Sequence, residues 1–169
     1  TVTLGDSSGD NFSLTGNNIN VGNIDANNTT ITANGAGNIT QQAGTLIDTT
    51  TLTLTSGSGD IGTSSNYINT SADNVTANTG GTGSIYLHDT GSVTLGDSSA
   101  GNNLVVSADG NITAGDLTAT NVSVTTTAND GSILLGGDIT ATTTTLTADG
   151  AGNITQQTGT TIDTDNLLI

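Results

Sequence analysis

The segment TITANGAGNITQQAGTLIDTTTL, Thr30 to Leu52, returns almost unchanged as TLTADGAGNITQQTGTTIDTDNL, Thr145 to Leu167. These copies lie 115 residues apart, and a second pair, VTLGDSS at Val2–Ser8 and again at Val93–Ser99, lies 91 apart. Division by five and by four brings both offsets to a unit of about 23 residues, within the range of stacked repeat architectures. Two unrelated duplications therefore agree on one period.

At that period the aliphatic residues sort into three columns. The first reads Ile19, Ile39, Ile61, Ile85, Ile112, Ile133 and Ile154; the second Val2, Ile24, Ile47, Ile68, Val93, Leu117, Ile139 and Ile162; the third Phe12, Ile31, Leu52, Val75, Leu104, Val122, Leu146 and Leu167. Many have an apolar partner two residues on, as in Val2/Leu4, Ile19/Val21, Leu52/Leu54 and Val122/Val124. That spacing is the signature of a strand with one buried face. Between strands, Gly followed by Asn, Asp or Ser and then an aliphatic occurs ten times, for example Gly22-Asn23-Ile24, Gly59-Asp60-Ile61 and Gly137-Asp138-Ile139. Gly accepts turn conformations and short polar side chains satisfy turn backbone groups, so these triplets read as corners.

Three short strands per turn, each stacked on its counterpart one turn along, describe a parallel β-helix. Crossovers between parallel strands favour the right-handed sense. The expected fold is all-β: one right-handed parallel β-solenoid over residues 1–169, with about 23 residues and three strands per turn and about seven turns. The stretch Gly96 to Asn103, and its counterpart Gly5 to Asn11, read as loops projecting from the coil.

Composition sets the functional limits. All 15 acidic residues are Asp, Lys and Arg are absent, and the net charge is -15. Nothing on this chain can neutralise phosphates, which excludes nucleic-acid binding, and anionic membrane surfaces are excluded for the same reason. No apolar run approaches the length of a membrane span. Without Cys or Lys there is no thiolate metal site, thiol nucleophile or Schiff base. Such a composition, with 37 Thr, 20 Asn and 24 Gly, would suit a disordered chain, but disorder gives no reason for periodic Ile, Leu and Val.

The repeats GNITQQAGTLIDTTTLTL and GSILLGGDITATTTTLTADGAGNITQQ resemble those of filamentous-haemagglutinin-like large exoproteins, the secreted partners of bacterial two-partner secretion systems. The likeness covers essentially the whole chain and lies in repeat style, without the amino-terminal secretion motifs. It implies a structural shaft segment of an extracellular fibre or surface adhesin. Such a segment is expected to be secreted or cell-surface, stiff, non-enzymatic and without a cofactor. Its partners would be flanking repeats or copies of itself end to end, with a host or neighbouring cell surface beyond them.

Few residues suggest chemistry. His88, in Ile85-Tyr86-Leu87-His88-Asp89, is the only His and has no evident set of co-ligands. For calcium, a hard cation that takes several oxygen ligands, the candidates are Asp6, Asp10 and Asp97 in the GDSS loops. The ordinary reading of each is a turn Asp. Thr-X-Thr triplets at Thr30/Thr32, Thr51/Thr53 and Thr145/Thr147 suggest a water-ordering face, interrupted at Asn74, Asn103, Asn121 and Asn166. An ice-binding or carbohydrate-active solenoid is therefore the alternative to a shaft.

Overall fold

The computed structural model describes residues 1–169, which form eighteen β-strands and no helix. Every pairing between these strands is parallel, so the chain is a β-solenoid. One row of registered residues measures its coil. Val2, Ile19, Ile39, Ile61, Ile85, Leu104, Val122, Thr144 and Leu167 stack in succession. The eight steps range from 17 to 24 residues and span the 165 positions from Val2 to Leu167, a mean of about 21. The coil is thus shorter than the expected 23 and there are about eight turns. At about 4.8 Å between neighbouring strands the rod is about 40 Å long.

The difference comes from a rotation that the duplications conceal. Five steps from Ile39 end on Thr144, whereas Ile154, the sequence counterpart of Ile39, lies ten residues further on and stacks on Ile133, Ile112 and Val93. Val93 likewise lies eight residues beyond Ile85, which is four steps from Val2. Each second copy occupies the next face of the coil. The expected columns therefore cross: Ile85 is followed by Leu104, not Ile112, and Ile47 by Thr70, not Ile68. Leu146 stacks on Val124 and Leu167 on Thr144.

The rotation coincides with the longest step, from Ile61 to Ile85. Early coils turn a corner at Gly22-Asn23 and then run along one long bent strand, as in Ile24–Ala33 and Ile47–Ser56. After Ile61 the chain makes an excursion over Gly62 to Tyr67 before rejoining the sheet at Ile68. Later coils run straight where the earlier ones turned, in Ile85–Asp89, Asn103–Ala108 and Asn121–Thr126, and move the corner to Gly96-Asp97, Gly115-Asp116 and Gly137-Asp138. The Gly96 to Asn103 stretch is consequently no projecting loop: Ser98 and Ala100 are buried and Ser98–Ser99 pairs with Leu117–Thr118. Its counterpart is likewise built into the strand Ser7–Gly16.

The corners are held by a side-chain ladder. Asn18 Oδ1 accepts the backbone N–H of Asn38 at 3.0 Å, Asn38 that of Asp60 at 2.8 Å, and Asp60 that of Ser84 at 2.7 Å. After the rotation Ser92, Asn111 and Ser132 do the same for Asn111, Ser132 and Asn153. Along these two runs the residue before the aliphatic caps its counterpart one coil on, satisfying a donor that would otherwise lack a partner. Apart from Gly91, the glycines of the Gly-Asn/Asp/Ser triplets allow close approach of the coils, and none of them has a left-handed backbone. A Cβ on Gly115 would lie 2.8 Å from Asp97 Oδ1, and one on Gly22 would lie 2.9 Å from the Gly5 carbonyl carbon. Inside, 33 buried apolar residues form one cluster from Ile19 to Leu146, so no break divides the rod.

Candidate functional site

The calcium candidates do not come together. Asp6 Oδ1 accepts the N–H of Asn23 and its Nδ2–H, both at 3.0 Å, and Asp97 Oδ1 accepts the N–H of Asp116 at 3.0 Å. These two carboxylates start corner ladders. Asp10 accepts a long bond, 3.5 Å, from Asn27 Nδ2. No three acidic or His side chains anywhere in the chain are grouped to hold a metal.

A concavity of about 330 Å³ lies where the long strands bend, with Asp25, Asp48, Asp73 and Asp89 among its lining residues. Asp25 and Asp48 are in register on successive coils. Asp89 is only 3% exposed, yet its carboxylate is fully engaged: Oδ2 accepts from Thr70 Oγ1 at 2.8 Å and Ala72 N at 2.9 Å, and Oδ1 from Gly91 N at 2.8 Å. Asp89 thereby ties the corner after its strand to the coil before it.

The Thr face is more regular than the sequence suggests. Ser13, Thr30, Thr53 and Thr76 form one outward row and Thr15, Thr32, Thr55 and Asn78 the next. Asn74 stands outside these rows, in line with Asn11, Asn28 and Thr51. The array stops after four coils, where Ser99 N–H and Oγ–H both donate to Asn78 Oδ1, at 3.0 and 2.9 Å.

The largest cavity, about 600 Å³, is a groove beside the Gly62 to Tyr67 excursion. Its floor is the outward row Asn69, His88, Ser107 and Thr125, residues in register on four successive coils, flanked by Val105 and Ser123. Its wall is Ser65, Asn66 and Tyr67. Local hydrogen bonds build that wall. Thr63 and Asn66 exchange backbone bonds at 2.9 and 3.1 Å, and Asn66 Nδ2 donates to the Gln41 carbonyl at 2.7 Å. The Gln41 side chain, 2% exposed, replaces a missing strand partner: its Oε1 accepts the Asn69 N–H at 2.6 Å and its Nε2 donates to the Asn69 carbonyl at 3.2 Å. No protein-family model, curated protein or solved structure matches this chain. What the groove does must therefore be read from its own side chains.

Both tyrosines meet at this groove. The rings of Tyr67 and Tyr86 stand 5.6 Å apart at 55°, a tilted aromatic pair that braces the wall against the sheet. His88 Nδ1 lies 3.0 Å from Ser107 Oγ, and Nε2 lies 3.8 Å from Asp109 Oδ1. These three residue types can form a nucleophilic relay, but here Ser107 Oγ also donates to the Leu87 carbonyl at 3.3 Å. The floor consists of paired strands whose N–H groups are spent in the ladder, so no oxyanion-binding pair points into the groove. Sequence reasoning singled out His88 but gave no site role to Tyr67 or Ser107. The available signals were the 24 residues between Ile61 and Ile85 and the 19 between Tyr67 and Tyr86, about one coil.

Proposed function

We propose that this chain is a stiff spacer, a shaft segment of a bacterial extracellular fibre or surface adhesin that continues end to end into further coils. The observation carrying this reading is that the core opens at both ends of the rod. Val2, Leu4, Phe12 and Leu14 in the first coil are only partly buried, and in the last coil Leu167, Leu168 and Ile169 are 46, 53 and 80% exposed. The outermost strands, Ser7–Gly16 and Ile162–Leu168, each pair on one side only. Solenoids bury such edges under a polar cap or another coil, because an open edge of strands is a template for further pairing. Further coils on the same axis satisfy both the unpaired backbone and the apolar rows.

The sides of the rod suit a spacer. Thr, Ser and Asn cover most outward positions, and a net charge of -15 opposes lateral clumping while leaving axial stacking of apolar edges available. The resemblance of the repeats to filamentous-haemagglutinin-like exoproteins points the same way, as does the absence of Lys and Arg, which leaves no trypsin site on a surface exposed to proteases. Sedimentation velocity of the purified chain across a concentration series tests the reading. End-to-end association, weakened by Leu167→Asp and by Leu4→Asp, is expected; a chain that stays monomeric at every concentration, with its terminal amides protected from hydrogen exchange, would contradict it.

A further inference from the structure

A spacer has no use for the groove beside Tyr67. The six-residue excursion adds nothing to the apolar core, yet it is pinned at its base by Asn66 and by the buried Gln41 side chain, and braced by Tyr86. It forms a preformed wall beside a floor of hydroxyl, amide and imidazole groups. Preorganisation of this kind lowers the cost of ordering a site on binding.

The chemistry of the lining selects the ligand. The chain carries 15 Asp, yet none lines this groove; Asp109, at its margin, lies 3.8 Å from His88 Nε2 and is engaged by the Thr127 hydroxyl at 2.7 Å. A cationic ligand would find four lining carboxylates in the concavity of Asp25, Asp48, Asp73 and Asp89, against none lining this groove. A polyanion is repelled by the whole molecule. An extended peptide would need free main-chain groups for strand addition, and those of the floor are taken on both sides, by neighbouring strands or, at Asn69, by the Gln41 side chain. What remains is an uncharged ligand with many hydroxyls and an apolar face to lay on an aromatic ring. We propose that the groove binds a neutral polysaccharide strand running along the rod axis, with one sugar ring stacked on Tyr67. The hydroxyl and ring groups of His88, Ser107 and Thr125 meet successive sugars. The floor row repeats at about 4.8 Å per coil, a step close to one sugar unit of an extended glycan.

This site does not depend on the shaft reading, since a monomeric solenoid would carry the same groove. Calorimetric titration with cellohexaose, xylohexaose, maltohexaose and chitohexaose tests it, with polygalacturonate and an uncharged Gly-Ser-Thr decapeptide as comparison ligands. At least one neutral hexasaccharide is expected to bind saturably. Tyr67→Ala should weaken that binding about tenfold or more, as loss of an aromatic anchor does. Tyr67→Phe, which keeps the ring, should bind nearly as the parent does, and Thr125→Val, which alters the floor at constant shape, should weaken binding independently of the excursion. Unchanged circular dichroism certifies the fold of each variant. Failure of all four hexasaccharides to bind, binding indifferent to both Tyr67→Ala and Thr125→Val, or equal binding of polygalacturonate or the decapeptide would overturn the proposal.

Discussion

Asn38 Oδ1 accepts the backbone N–H of Asp60, one coil further along the rod, at 2.8 Å. Asn38 is itself capped by Asn18, and Asp60 in turn caps Ser84, so the middle residue of the Gly-Asn/Asp/Ser triplet is both capped and cap along this run of coils. Removing the acceptor in Asn38→Ala leaves the Asp60 N–H without its partner and is expected to cost about 1 kcal/mol. Asn38→Asp keeps an acceptor and should remain within a few tenths of that stability. Urea denaturation of both variants checks the pair.

Gly59 faces the Gly37 carbonyl of the preceding coil and would hold a Cβ 2.7 Å from Asn38 Oδ1, whereas Gly5 has no heavy atom within 4 Å of that position. Neither residue has a left-handed backbone. Gly59→Ala should destabilise by about 1–3 kcal/mol through overpacking. Gly5→Ala should change stability by no more than about 0.5 kcal/mol. Equal effects in thermal denaturation would mean that the corner glycines serve conformation and not coil spacing.

The rotation of the rows can be tested by coupling. Ile85 is in register with Leu104 and not with Ile112, which the bare period would make its neighbour. A double-mutant cycle of Ile85→Val with Leu104→Ala should show coupling of about 0.5–3 kcal/mol, while Ile85→Val with Ile112→Ala should be additive to within about 0.5 kcal/mol. The reverse pattern would restore the columns read from period alone.

Thr144 occupies an interior place between Val122 and Leu167, and its hydroxyl, like that of Thr29, is buried without a hydrogen-bond partner. Thr144→Val keeps the shape and removes the orphaned group. It should stabilise the chain by about 1 kcal/mol or more, read as a rise in the denaturation midpoint.

Much of this fold was legible in the chain itself. The alternation of Ile19/Val21 and Leu52/Leu54 marks strands, and the Gly-Asn/Asp/Ser triplets mark corners. Which face a triplet lies on was not legible. Gly37-Asn38-Ile39 and Gly152-Asn153-Ile154 have the same local sequence because they solve the same local problem, a tight turn capped by the coil before. A tight turn can be placed on any face of a three-faced coil. The change of face depends on a nonlocal event, the replacement of a corner by the Gly62 to Tyr67 excursion, with Gln41 bridging the gap to Asn69 from 28 positions away. The groove was hidden for the same reason: Asn69, His88, Ser107 and Thr125 are neighbours only through register. Thr residues also misled, since they are not confined to the outside; Thr49, Thr70 and Thr126 are buried, each donating its hydroxyl to a backbone carbonyl or to Asp89.

Electron microscopy of the native material containing this chain tests the shaft directly. The expected image is an unbroken rod of constant width, with an axial repeat of about 4.8 Å running through this segment into coils on both sides. Isolated particles about 40 Å long, or a rod whose width changes abruptly where Leu4 and Leu167 meet a globular cap, would contradict it.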